Sequence, residues 1–131
     1  MKRILLVDDE PHVIRVMRLA LQRCDYEVDE ASNGEMALER IRQSEPDVMI
    51  TDIDMPVMNG EQLCKAIERQ MPDRKFAIIV LTARTEIEHR VWSSKLTDLM
   101  FMEKPVSIRR LIERLNTHFS AAAGAGDVIN A

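Results

Sequence analysis

Four short stretches carry side chains that could act together: Asp8-Asp9, Asp52-Ile53-Asp54, Thr82 and Lys104. Each closes an apolar run, respectively Ile4-Leu5-Leu6-Val7, Val48-Met49-Ile50, Phe76 to Leu81, and Leu99-Met100-Phe101-Met102. Short apolar runs bounded by polar residues read as strands buried on both faces of a parallel sheet. In open α/β sheets ligands bind outside the carboxyl ends of the strands, where the loops diverge around a crevice. Carboxylates of Asp8, Asp9 and Asp52 crowded at that edge repel one another, so the site either raises a pKa or holds a cation. Mg2+ suits the second case, because it takes one or two carboxylates and keeps waters that a phosphate can displace. Oxygen donors without a nearby histidine argue against zinc. Lys104 adds a mobile positive charge and Thr82 a hydroxyl, each suited to a phosphate oxygen. These are the parts of phosphoryl transfer to a carboxylate. Asp52, on the central strand, is the nucleophile, with Asp8 and Asp9 as metal holders. Pro56 and Asn59-Gly60, the latter tolerant of positive φ, turn the chain after Asp52, so its carboxylate is expected to be presented rather than buried.

The elements that must position these residues follow from periodicity. After the first strand, Asp8-Asp9-Glu10-Pro11 starts a helix, with Val13, Val16, Met17, Ala20 and Leu21 at helical spacing. Tyr26 to Ala31 alternates as an edge strand does, and Ser32-Asn33-Gly34 leads into a second helix with Met36, Ala37, Leu38 and Ile41 on one face. Leu63, Ala66 and Ile67 mark a third helix, Ile87, Val91 and Leu96 a weaker fourth, and Ile108, Leu111, Ile112, Leu115 and Phe119 a fifth. Five strand-helix pairs in alternation predict an α/β fold: a five-stranded parallel sheet with helices on both faces, flavodoxin-like in winding. Periodicity leaves the strand order open. Residues 1–119 form one domain, and the small-residue stretch from Ser120 to Ala131 reads as a flexible tail or linker stub.

At 131 residues the chain is one domain's worth, and a net charge of −4 without a basic tract gives no reason to expect nucleic acid or an anionic membrane. The apolar run after Lys2-Arg3 is too short for a signal peptide and meets two acids, and no run is long enough to span a membrane. Cys24 and Cys64 stand in no metal or CxxC spacing and read as reduced thiols, which places the protein in the cytoplasm.

With Asp8-Asp9, Asp52 before Met55-Pro56-Val57-Met58-Asn59-Gly60, Thr82-Ala83 and Lys104-Pro105 in order, the chain resembles the receiver domains of two-component response regulators from about Lys2 to Phe119. The resemblance implies that Asp52 accepts phosphate from a histidine kinase or histidine phosphotransfer protein. It implies Mg2+ held by Asp9, Asp52 and the main-chain carbonyl of Asp54, with Asp8 acting through water. Thr82 would move toward the phosphoryl group, and Phe101, at the switch-aromatic position, would change its burial. Lys104-Pro105 looks like the family's cis peptide. The fourth helix, fifth strand and fifth helix would form the face that changes, with Glu86, Arg90, Trp92, Lys95 and Arg109 as contact candidates toward a downstream protein or a linked output domain. Homodimerisation on activation through the fourth and fifth helices is left open. Asp54 and Arg84, each two residues beyond a site residue, are tuning positions whose ion pair would slow loss of the phosphoryl group.

Thr97-Asp98 and Val106 depart from the family's usual Gly-Ala pair and aromatic, which bears on the output face. Taken singly, each site residue has a plainer role: helix caps for Asp8, Asp9 and Thr82, a strand end for Asp52, surface for Lys104 and core for Phe101. The rival readings are a phosphate-independent interaction module of the same fold, an aspartyl phosphatase using Asp52-Ile53-Asp54, and a flavin carrier. The chain is not expected to be an enzyme. The phosphatase reading needs its motif on the first strand, and the flavin reading a phosphate loop after that strand.

Overall fold

The computed structural model describes residues 1–83 and 98–130, with side chains as far as Ser120. Strand β1 (Arg3–Val7) leads through Pro11, the first helical residue, into α1 (Pro11–Arg23). Proline suits that place because its missing N–H would have no helical partner there. Strand β2 (Glu27–Ala31) is followed by α2 (Gly34–Gln43), capped by the Asn33 side chain, which accepts from Met36 N–H at 2.9 Å. Strand β3 (Val48–Asp52) leads to α3 (Gly60–Gln70), where Asn59 and Gln62 form a reciprocal capping box. Strands β4 (Ala77–Thr82) and β5 (Leu99–Glu103) precede α4 (Ile108–Asn130), the fifth helix of the sequence reading. The helix expected around Ile87, Val91 and Leu96 lies outside the described residues.

All strand pairs are parallel, in the order β2-β1-β3-β4-β5. Alternate residues therefore serve two layers. Leu5, Val7, Met49, Ile78 and Val80 pack with Leu38, Ile41, Leu63 and Ile67 of α2 and α3. Ile4, Leu6, Val48, Ile50, Ile79 and Leu81 pack with Met17 and Leu21 of α1 and Leu111 and Leu115 of α4. Each such side chain contributes roughly 1.5–3 kcal/mol relative to exposure. The three inner strands are buried on both faces, as their uninterrupted apolar runs require.

The structure corrects two helix faces. Val16 and Met36 are 46% and 40% exposed, while Ile14, left out of the sequence reading, is buried with Met17 and Leu21. One residue is a rotation of about 100° on a helix, so Val16 points aside from Met17 and Met36 aside from Ala37. The C-terminus differs as well. Where a tail was expected from Ser120, α4 continues to Asn130. Ala121-Ala122-Ala123 is the best helix-forming sequence available, no proline follows, and each of Gly124 and Gly126 costs only about 1 kcal/mol.

The C-terminal helix is tied to the start of β2 by Tyr26, whose hydroxyl donates to Asn116 Oδ1 at 2.7 Å and whose ring lies 5.8 Å from that of Phe119. Cys64 is buried and Cys24 exposed, both free. Burial pushes the Cys64 thiol up to about 12, which leaves it unreactive. Among the described residues no helix is long and apolar enough to cross a membrane.

Candidate functional site

Because β3 lies between β1 and β4, Asp52 emerges between the end of β1, which leads to Asp8 and Asp9, and the end of β4, which is Thr82. One carboxylate oxygen from each of Asp8, Asp9 and Asp52 falls within 4.8 Å of the others. Asp9 is exposed, whereas Asp8 and Asp52 are only 5% and 3% exposed. The expectation that Asp52 is presented to solvent is therefore corrected. Its Oδ1 accepts from Ile53 N–H at 2.8 Å and lies 2.6 Å from Lys104 Nζ, so the chain's own groups cover it. Lys104 reaches it from the end of β5, where the main-chain N–H of Lys104 donates to Thr82 O at 2.8 Å. The Lys104–Pro105 peptide bond is cis.

Burial pushes Asp8 from the ordinary 3.8 up to about 6. The hydrogen bond that Asp8 Oδ1 accepts from Glu10 N–H at 2.9 Å acts against this, and the neighbouring charge of Asp52 adds to it. Burial acts to lower the Lys104 pKa, but the hydrogen bond and charge of Asp52, with the charges of Asp8 and Glu10, outweigh it and raise the value. The site thus keeps Lys104 charged and still carries more negative charge than one ammonium neutralises. An all-oxygen donor set with surplus negative charge fits a hard divalent ion such as Mg2+.

Of the plainer roles, capping does not hold for Asp8 or Asp9: the residue preceding α1 is Glu10, without a side-chain cap. Thr82 is 1% exposed at its strand end. Asp54 is exposed, two residues past Asp52, and Arg84 lies outside the described residues, as do Glu86, Arg90, Trp92, Lys95 and Thr97. Phe101 is half-buried against the α2/α3 layer, in register with Val80. Arg109 is exposed and pairs with Glu113 at 3.3 Å within α4. Asp98 takes the left-handed φ of 50° at the entry to β5, a conformation Asp tolerates.

Three features of the site were not read from the sequence. Glu10 contributes a main-chain donor to Asp8 and a charge toward Lys104. The Asn59-Gly60 pair was read as tolerant of positive φ, but neither residue adopts it; Val57 does, at φ 69°. With Met58 N–H donating to Pro56 O at 2.8 Å, Val57 centres a γ-turn of the strained kind. Gly60 is needed for space instead: a Cβ there would lie 2.4 Å from Asp52 O and 2.8 Å from Ile53 Cα. The Asn-Gly pair signalled a turn but not that approach.

The comparisons with known proteins agree with this geometry. The family model described as "response regulator receiver domain" matches residues 4–116. The alkaline phosphatase synthesis transcriptional regulatory protein PhoP of Bacillus subtilis is 34% identical over 87% of this chain and 47% of its own length. A receiver domain protein described as CheY-like, from Methanospirillum hungatei, superposes with TM-score 0.84 at 26% identity, over 95% of this chain and 98% of its own. The response regulator TrrA of Thermotoga maritima, solved in complex with Mg2+ and BeF, gives 0.77 at 33% identity, over 89% of this chain and 98% of its own. The chain belongs to the response regulator receiver domain family of two-component systems. It spans about half the length of the first curated relatives that it matches.

Proposed function

We propose that the chain is a phosphoacceptor signalling domain in which Asp52 takes a phosphoryl group from a phosphohistidine of a histidine kinase or histidine phosphotransfer protein. The observation that carries the reading is the buried Asp52 carboxylate, 2.6 Å from Lys104 Nζ and grouped with Asp8 and Asp9. An Asp52 oxygen forms the new P–O bond while the P–N bond of the donor breaks, its electron pair staying on the imidazole nitrogen. Charge in the transition state spreads over the three equatorial oxygens. Phosphorylation of Asp52 removes the carboxylate charge that Lys104 neutralises, and the flexible lysine stem lets the ammonium follow the charge to a phosphoryl oxygen. The Thr82 hydroxyl, from the neighbouring strand end, donates to a second one. Mg2+, held by Asp9, Asp52 and the carbonyl of Asp54 with Asp8 acting through water, would neutralise the developing charge.

The product is a modified protein, not a released one, so the chain acts as a signal acceptor rather than as an enzyme. Phe101, half-buried on β5, would change its burial and alter the face that β5 and α4 present to a downstream protein or linked output domain. The transcriptional regulator among its relatives, about twice its length, fits the linked arrangement. The cytoplasm, where the phosphodonor kinases act, is the proposed compartment.

Incubation with acetyl phosphate and Mg2+, read by intact mass beside an Asp52→Asn control, tests the reading. One phosphoryl group that requires both Mg2+ and Asp52 is expected. A protein that takes no phosphoryl group and binds no beryllofluoride would be a phosphate-independent module.

A further inference from the structure

We propose that Gly34, at the start of α2, is a positioning residue for Asp52 that acts through Met58; this rests on the acceptor reading above. Gly34 and Asp52 belong to different strand-helix units. What joins them is the loop from Ile53 to Gly60. At its base Gly60 N–H donates to Ile53 O at 2.8 Å, and the missing Gly60 side chain lets α3 start against Asp52 O. At its far end the γ-turn at Val57 directs Met58 onto α2, where Gly34 N–H donates to Met58 O at 3.1 Å.

The Met58 side chain then occupies the space that a Cβ on Gly34 would need. Such a Cβ would lie 2.6 Å from Met58 Cγ and 2.8 Å from both Cβ and Sδ. The conflict includes Met58 Cβ, which rotation of the side chain cannot move. Ordinary carbon contacts are about 3.5–4.0 Å, so the loop would have to give by about 1 Å. Gly34 itself has an ordinary φ and could accept Ala on backbone grounds. Its lack of a side chain therefore serves the contact with Met58. The loop carries the Ile53 N–H that holds Asp52 Oδ1 and the carbonyl of Asp54.

The test is a double-mutant cycle of Gly34→Ala and Met58→Gly, read by the initial rate of Mg2+-dependent phosphorylation from acetyl phosphate. A displacement of about 1 Å at a reacting group costs up to ~10²-fold, so Gly34→Ala is expected to slow the reaction roughly ten- to a hundredfold. In the Met58→Gly background, which removes Cβ as well as Cγ and Sδ, the same substitution should change the rate by less than about twofold, since the obstructing side chain is gone. An equal loss in both backgrounds, an unchanged rate for Gly34→Ala alone, or failure of Gly34→Ala to fold in both backgrounds overturns the proposal. A second reading uses amide NMR shifts without phosphodonor. Gly34→Ala should move the Ile53, Asp54 and Gly60 resonances, and should leave them in place when Met58 is already Gly. Shifts confined to α2 overturn the proposal. If the wild-type protein takes no phosphoryl group, the acceptor reading fails, while the amide shifts still decide whether Gly34 positions the loop.

Discussion

Asp8 offers a prediction whose size follows from the site's electrostatics. It is 5% exposed, and burial beside Asp52 lifts its pKa from 3.8 to about 6. A carboxyl whose pKa is higher in the fold than in the unfolded chain keeps its proton longer in the fold. Between about pH 4 and pH 6 the folded state therefore holds more protons, and stability falls as the pH rises. Above pH 6 the ionised group leaves the fold weaker by the whole displacement, about 3 kcal/mol at 1.36 kcal/mol for each pH unit. Water reaching the open side, where Asp9 is exposed, reduces this to about 1–3 kcal/mol. Asp8→Asn keeps an oxygen to accept from Glu10 N–H and removes the charge. The variant is expected to be more stable than wild type by about 1–3 kcal/mol at pH 8 in EDTA, with the difference closing toward zero at pH 4. Urea unfolding followed by circular dichroism across that range measures it. Added Mg2+ should narrow the gap at pH 8 by compensating the same buried charge. A gain that does not vary with pH, or a variant less stable at pH 8, would refute the assignment of strain to the Asp8 charge.

Gly60→Ala should lower stability by about 2–4 kcal/mol, because its Cβ meets main-chain atoms of Asp52 and Ile53 that cannot rotate away; a melting temperature at or above wild type counts against this. Val57→Gly should raise stability by about 0.5–1 kcal/mol, relief of the left-handed strain exceeding the entropy that glycine loses, and a fall in melting temperature would contradict it. Lys104→Ala removes the cation 2.6 Å from Asp52 Oδ1 and should slow phosphorylation by acetyl phosphate about 10²-fold or more. A rate within threefold of wild type would show that the ammonium does not act on the transferring group. Tyr26→Phe deletes the hydroxyl bonded to Asn116 and should cost about 1 kcal/mol in urea unfolding, with phosphorylation unchanged.

What the sequence determined by itself is the class of fold and which polar residues stand at one edge of the sheet. Apolar runs such as Val48-Met49-Ile50 and Phe76 to Leu81 are local signals, and so is a polar residue at the end of each. Their alternation with helical periodicity requires a parallel sheet whose carboxyl edge carries Asp8, Asp9, Asp52, Thr82 and Lys104. The strand order was not local information, because it is set by hydrogen bonds between segments far apart in the chain. Nor was the burial of Asp52, which depends on Lys104 arriving from β5. Periodicity misjudged Val16 and Met36 because it marks a helix stripe without its rotation against the sheet. The two glycines make the same point. Both looked like turn residues, yet Gly60 is required by the approach of α3 to Asp52 and Gly34 by the Met58 side chain laid across it. Only tertiary structure decides such contacts, because the space a side chain would need is claimed by atoms that the sequence places elsewhere.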